Sequence, residues 1–409
     1  MTRILLENCA IFSHESPELL EDQHVLIQND RIVEVSDKPI KSEAEVRLNL
    51  AGRALLPGLT DAHVHVTAVS ADLGSMYDLS PTLIAAKTRP ILEDMLMRGF
   101  TTVRDAGGAD WGIAEAVRSG LFKGPRLLYS GHALSQTGGH GDPRSRNNDG
   151  ENCCYAPGIL SRVVDGVDAV RKAARDELRK GATQLKIMAS GGVASPTDHI
   201  ANTQYSTDEV RAIVQEARAA RTYVMAHAYT ARAIRHALEA GVRSIEHGNL
   251  VDLDTARLMV EKEAFMVPTL VTYEMLYRLG RQFGVPQVSL DKLSEVRDYG
   301  LQALEICKKV GVKIGHGSDL LGEMHEHQSF EFSIKAEVLS PHEVITAATA
   351  TNAELFNLQG EIGVVAPGAL ADLIVVEGNP LKDLNLLQEQ GKHLSLIMQQ
   401  GKLVKNTLA

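Results

Sequence analysis

Between Pro57 and Leu358 the chain repeats one rhythm: a short apolar run ending in Gly, His or Asp, then a helical stretch. The runs read as strands are Leu59–Val66, Thr101–Ala106, Arg126–Ser130, Leu185–Ala189, Tyr223–Ala228, Arg243–His247, Phe265–Leu270 and Val312–Asp319. Runs that short, apolar throughout, suit strands buried on both faces. Amphipathic helices are expected over Leu83–Arg98, Val167–Lys180, Thr207–Arg221 and Ala231–Ala240. Gly99, Gly181 and Gly241 follow three of them, where a left-handed terminating residue is favoured. Eight strands alternating with helices predict an α/β protein built as a (β/α)8 TIM barrel. A doubly wound sheet competes, but no GxGxxG follows the first strand.

The termini differ. Arg3–Phe12 and His24–Val35 read as strands, as do Ala371–Val376 and Leu394–Val404, with turn chemistry at Glu377-Gly378-Asn379-Pro380. Both chain ends are therefore expected to build one small β-sandwich. The predicted domains are residues 1–56 plus 360–409 for that sandwich and 57–359 for the barrel. With 409 residues, 44% of them apolar, there is ample material for both.

The 42 basic and 52 acidic side chains give a net charge of −10. That mixed, negative surface argues against nucleic acid and anionic membranes as partners. Four cysteines without a CxxC fit a reducing compartment. The apolar stretch in MTRILLENCAIF is too short for a signal peptide, and no run of eighteen apolar residues occurs. A cytoplasmic protein is expected, and a barrel with apolar outer helices suggests a homo-oligomer.

Polar residues fall where the chemistry should be. His63 and His65 lie two apart in DAHVHV, so a strand points both to one face. Inside a barrel, two imidazoles need partners, and a metal ion satisfies both. Lys186, in QLKIMAS, admits three readings: a solvated strand-end lysine, a Schiff-base or general-base lysine, or an amine carboxylated by CO2. His227, His247 and Asp319 end the fifth, sixth and eighth runs. Imidazole and carboxylate together suit Zn, Mn, Fe or Co, and the absence of paired thiolates argues against a structural zinc site. Two such ions about 3.5–4 Å apart would bind and activate a bridging water. The Gly- and Asn-rich segment 135–157 would lie over the barrel's C-terminal face, where active sites are found.

The ordered set His63-x-His65, Lys186, His227, His247, Asp319 resembles the amidohydrolase superfamily. LLPGLTDAHVH, TTVRDAGG, SQTGGHGD, KIMASGG, AHAYT, SIEHG and PGALADLIVV resemble its imidazolonepropionase-related branch, and within that branch the metal-dependent Xaa-Pro dipeptidases and Xaa-Arg/Lys carboxypeptidases. The likeness covers essentially the whole chain.

That resemblance implies a binuclear metallohydrolase. His63, His65 and Asp319 would bind one divalent ion, zinc first among the candidates, and His227 and His247 a second. Lys186, as a CO2-derived carbamate, would bridge them. Hydroxide between the metals would attack the amide, with Asp319 taking the water's proton and passing it to the leaving amine. His140 would polarise the scissile carbonyl, and Tyr229 would lie near the substrate's free carboxylate.

The substrates implied are dipeptides or N-acyl amino acids, Xaa-Pro first. Alternatives are Xaa-Arg/Lys peptides, N-acyl amino acids, or cyclic amides as hydrolysed by imidazolonepropionase-like relatives. A cationic side chain would need a pocket carboxylate such as Glu274, Glu323 or Glu326. Tyr273, Leu276 and Met324 would suit proline. Arg104 and Asp105 are expected to be structural and paired, and Gly191 and Gly192 to give room for a ligand or turn. His316, three residues before Asp319, is unusual for the motif. His325-Glu326-His327 is expected to be loop rather than ligand, and Cys153-Cys154 structural.

Overall fold

The computed structural model describes residues 2–408 apart from Asp149 and residues 151–157, so Cys153 and Cys154 lie outside the described residues. The chain divides into two compact units. One comprises Met1–Asp61, Glu93–Thr102 and Phe332–Ala409; the other comprises Ala62–Leu92 and Val103–Glu331. Among the described residues no helix is long and apolar enough to cross a membrane.

In the first unit, strands from both chain ends share one eight-stranded sheet. Arg3–Ile11 lies inside it, antiparallel to Leu20–Gln28 on one side and parallel to Val46–Asn49 and Ala54–Pro57 on the other. Ala54–Pro57 pairs with the C-terminal Leu373–Val376, which joins the two termini in one ladder. The alternating residues Ile4, Leu6, Val25, Ile27, Leu373, Val375, Leu396 and Met398 form its buried core. Two of the expected strands are hairpins instead. His24–Val35 breaks at Asn29, whose φ is +55°, into Leu20–Gln28 and Arg31–Ser36. Leu394–Val404 likewise breaks at Gln400 and Gly401, both at positive φ. Tight turns of this kind match the twist of paired strands, and an apolar pattern alone does not reveal them.

The barrel strands are Leu59–Val64, Phe100–Asp105, Arg126–Tyr129, Leu185–Met188, Val224–Thr230, Ser244–Leu250, Phe265–Val267 and Lys313–Ile314. From Leu185–Met188 to Lys313–Ile314 all neighbours are parallel and in sequence order. Thr183 N–H donates to Tyr129 O at 2.8 Å, linking the third and fourth strands, and Ala62 N–H donates to His316 O at 2.7 Å, closing the eighth onto the first. The expected helices appear as Pro81–Met97, Val167–Arg179, Thr207–Ala219 and Ala231–Glu239. Gly99, Gly181 and Gly241 have φ of +91°, +93° and +97°, the left-handed conformation anticipated for them. Ala233, Ile234, Ala237 and Leu238 make the buried stripe of one helix, and small alanines there let it lie close to the strands. Thr230 ends its strand and caps that helix, its hydroxyl accepting from Ala233 N–H.

The eighth strand is the main departure. It spans only Lys313–Ile314, so Asp319 sits five residues beyond it rather than at its end. The backbone leaves the ladder and crosses to the first strand, where Asp319 N–H donates to His63 O at 2.8 Å.

Candidate metal centre and active site

His63 and His65 project inward from the end of the first strand, as residues two apart must. Their Nε2 atoms lie 3.3 Å from the same Asp319 oxygen. One ligand atom from each of the three falls within 4.8 Å of the others.

The far side of each ring decides what this cluster can hold. His65 Nδ1 lies 2.8 Å from Gly107 O, a carbonyl that can only accept, so Nδ1 carries the hydrogen. His63 Nδ1 lies 2.7 Å from the Glu246 carboxylate, which imposes the same tautomer. In the neutral rings both Nε2 atoms therefore offer lone pairs, and they face a carboxylate oxygen. Three converging acceptors call for a cation, so the donor set fits a divalent metal.

Glu246 is the residue that ties this arrangement to the barrel interior. It is fully buried, and its second oxygen accepts from Arg104 Nη2 at 3.0 Å. Burial pushes its carboxyl up, but Arg104 and then His63 outweigh this and hold it at about 2. Arg104 also donates to Ala62 O at 2.6 Å. The expected Arg104–Asp105 pair is not formed. Adjacent residues of a strand face opposite ways, and Asp105 instead accepts from the backbone N–H groups of Val66, Gly107 and Ala109.

His227 and His247 stand edge to face, ring centroids 4.7 Å apart, with His247 5.0 Å from His63. His227 Nε2 donates to Gly191 O at 3.0 Å, which leaves Nδ1 as its lone pair. His247 Nδ1 is 2.7 Å from Thr269 Oγ1 and 3.9 Å from Asp319 Oδ2. Burial first, and then neighbouring cationic groups, push His227 well below the usual histidine range; burial does the same for His247 against the pull of Asp319. Both are thus neutral, the form a metal needs. His247 and Asp319 hold φ of +73° and +54°. Left-handed backbone at two adjoining site residues is strain concentrated where side chains must be aimed.

Lys186 is 2% exposed and, among the described residues, makes no hydrogen bond or ion pair. Burial pushes its amine down from 10.5 to about 8. It borders the same cavity as His63, His65, His227, His247 and Asp319. Burial raises the Asp319 carboxyl, yet His63, His65 and His247 together bring it well below the usual range.

His140 reaches the cavity on the loop after Ala133–Ser135 and stacks on His227 with centroids 4.2 Å apart. Tyr229 is buried beside His227 and His247, its hydroxyl accepting from Tyr273 at 3.1 Å. All eight sequence-derived site residues, His63, His65, His140, Lys186, His227, Tyr229, His247 and Asp319, therefore border one cavity of about 240 Å³. Sequence reasoning missed Glu246, although it sits beside His247, and it missed Tyr273 as a partner of Tyr229. His325 donates to Ala68 O at 3.2 Å, and the ring of His327 pairs with Glu326 at 3.5 Å. Neither these residues nor His316 borders the cavity.

Comparison with known proteins gives the family. The amidohydrolase family model matches residues 54–404. A prolidase crystallised with N-methylphosphonate-L-proline is 54% identical, with a TM-score of 0.98 over 99% of this chain and 100% of its own. A Xaa-Pro dipeptidase with bound methionine is 27% identical, with a TM-score of 0.90 over 99% and 100%. Aspergillus niger ochratoxinase is 33% identical over 364 residues, covering 86% of this chain and 75% of the relative. With a family match from Ala54 to Val404 and His63, His65 and Asp319 brought together in the barrel, this chain belongs to the amidohydrolase family and is a hydrolase of amide bonds.

Proposed function

We propose that the enzyme hydrolyses small amides whose amine side carries a free carboxylate, Xaa-Pro dipeptides before others. The observation that carries this reading is the cavity wall. Met76, Ile159, Leu160, Leu276, Val288 and Leu321 line it, whereas Glu274, Glu323 and Glu326 do not. Glu274 is instead bound to Arg278 at 2.5 Å and Arg297 at 2.9 Å. Of the described acidic residues at the cavity apart from Asp319, Asp142 is paired with Arg144 at 2.6 Å and Asp72 caps Gly74 N–H. Asp72, half-buried, is the one carboxylate among them with no cationic partner, so a lysine or arginine side chain seated elsewhere on this apolar wall would leave its desolvation uncompensated. A pyrrolidine ring or an apolar acyl group loses nothing there. The likeness to a prolidase holding a proline phosphonate supports the same choice, and the ochratoxinase likeness supports apolar N-acyl amino acids as the second substrate class.

In this reading His63, His65 and Asp319 would hold one divalent metal, zinc first, and His227 and His247 another, with Lys186, as a carbamate, a further oxygen ligand between these groups. A lysine at about 8 has far more neutral amine near neutrality than an ordinary lysine, and the neutral amine is what adds to CO2, releasing one proton. Metals so held would supply Lewis acidity toward the amide carbonyl and lower the pKa of water. Asp319 accepts the proton of the attacking water and returns it to the departing nitrogen, which for proline is a secondary amine that cannot leave as an anion. His140 would meet the carbonyl oxygen through an Nε2 hydrogen, which requires Nδ1 to accept from the Ser195 hydroxyl 2.9 Å away. The Tyr229 hydroxyl, kept neutral because burial pushes its pKa up, donates to the substrate carboxylate.

Metal analysis of the purified protein, with turnover of L-Xaa-L-Pro, L-Xaa-L-Arg and N-acyl amino acid sets, tests this. About two metals per chain and highest kcat/KM on Xaa-Pro are expected. A clear preference for Xaa-Arg or Xaa-Lys, or turnover of cyclic amides only, would overturn it.

A further inference from the structure

We infer that Ser195, Asp198 and Lys292 form a positioning relay that sets the orientation of His140 for the reaction. The inference rests on the role given to His140 above. The ring is confined by two neighbours. It stacks on His227 at 4.2 Å, and it lies against Gly192, where an added Cβ would come within 2.1 Å of ring atoms. Stacking fixes the plane of an imidazole but not which edge points where, because a 180° flip about Cβ–Cγ keeps the plane and exchanges Nδ1 with Cδ2. Ser195 selects one of the two orientations, its Oγ lying 2.9 Å from Nδ1, and so leaves Nε2 as the nitrogen for substrate.

Ser195 is itself held. Its hydroxyl contacts Asp198 Oδ1 and lies 3.0 Å from Gly192 O. The other Asp198 oxygen accepts from Gly192 N–H at 3.2 Å and from Gln204 Nε2 at 2.9 Å. Gln204 in turn accepts the His140 backbone N–H at 2.9 Å. Lys292 comes from the helix Gln287–Arg297, and its Nζ donates to Gly192 O at 2.9 Å, Ser195 O at 2.7 Å and Asp198 Oδ1 at 3.3 Å. Asp198 is 4% exposed and the Lys292 side chain 11%.

A buried ion pair of this kind is a poor source of stability, because desolvation offsets most of the attraction. What it supplies is a defined geometry. Lys292 draws two carbonyls and a carboxylate of one loop onto a single ammonium, and two of these, Gly192 O and Asp198 Oδ1, also meet the Ser195 hydroxyl that faces His140. The same helix contributes Val288 and Ser289 to the cavity wall. Wall and histidine are thereby registered in one frame. Displacement of a reacting group by about 1 Å can lower a rate about 100-fold, so the relay acts on turnover more than on binding.

The test is a double-mutant cycle with an L-Xaa-L-Pro substrate. Ser195→Ala, Asp198→Asn and Lys292→Met are each made in the wild-type protein and in a His140→Ala background. In the wild type we expect kcat to fall about 10–100-fold with KM changed less than about threefold and metal content unchanged. Lys292→Arg, which keeps the charge and donors, should restore most of kcat. In the His140→Ala background the same changes should alter kcat less than about twofold, because the residue through which they act is gone. Equal losses in both backgrounds, or a KM effect with kcat kept, would overturn the relay. If His140→Ala itself leaves kcat intact, the role of His140 fails first, and that result is distinct. Should Asp198→Asn not fold, Ser195→Ala carries the cycle alone, since it removes one hydroxyl.

Discussion

Replacing Lys186 by methionine should have opposite effects on stability and on activity, and the size of the first follows from the structure. The side chain is 2% exposed, has no hydrogen bond or ion pair among the described residues, and titrates at about 8 instead of 10.5. A fall of that size means the folded, metal-free protein carries about 3 kcal/mol of penalty for the charged amine. The folded-state pKa of a base is depressed here, so the penalty is complete below pH 8. It shrinks as pH rises from 8 to 10.5, where the unfolded chain still binds the proton and the folded one does not. Methionine matches the length of lysine without the charge. Metal-free Lys186→Met should therefore be more stable than metal-free wild type by up to about 3 kcal/mol at pH 7, narrowing to about 1 kcal/mol at pH 9.5. Urea unfolding of both proteins after chelation, at the two pH values, gives the difference directly. On the proposed binuclear reading, the variant should also bind about one metal where the wild type binds two, and lose its turnover. Equal or lower stability at pH 7, or a gap that ignores pH, would refute the account of Lys186 as a buried, uncompensated amine awaiting CO2 and metal.

Two further variants test the site. Glu246→Gln should lower divalent-metal affinity about 10–100-fold in competition with a chelator, because His63 loses the carboxylate that fixes its tautomer. The wild-type Glu246 carboxyl sits at about 2 instead of 4.5, so its stabilisation is present above pH 4.5 and disappears as pH falls toward 2; an acid-unfolding curve identical in the Gln variant would contradict this. Gly192→Ala places a methyl 2.1 Å from the His140 ring and should lower kcat about 100-fold with the far-UV spectrum unchanged; wild-type turnover would show that His140 does not meet the substrate from its present position.

Much of the centre is legible along the chain because its signals are local. A strand has a period of two, so His63 and His65 must share a face wherever the strand lies. Glycine after a helix records a left-handed residue at Gly99, Gly181 and Gly241 without reference to the rest of the molecule. The βα alternation likewise fixes which chain segments become barrel strands, and it brings Lys186, His227 and His247 to successive strand ends.

Other features have no local signal. Arg104 reads as a partner for Asp105 until the barrel closes; then the alternation of side chains sends it to Glu246, far away in sequence. Asp319 reads as a strand-end residue, but the strand stops at Ile314, and a backbone crossing to the first strand delivers the carboxylate. Nothing in PTDHI marks Asp198 as the anchor of His140, or Lys292 as the cation that holds it. The barrel alternation and the strand-end residues His63, His65, Lys186, His227 and His247 were readable along the chain, because periodicity and capping act over a few neighbouring positions, whereas His140 and Tyr229 came only with the family resemblance. Tertiary structure alone decided which tautomer each histidine holds, which acids the cavity excludes and what aims His140, because hydrogen-bond partners far apart in sequence are chosen only when the barrel brings their atoms to within about 3 Å.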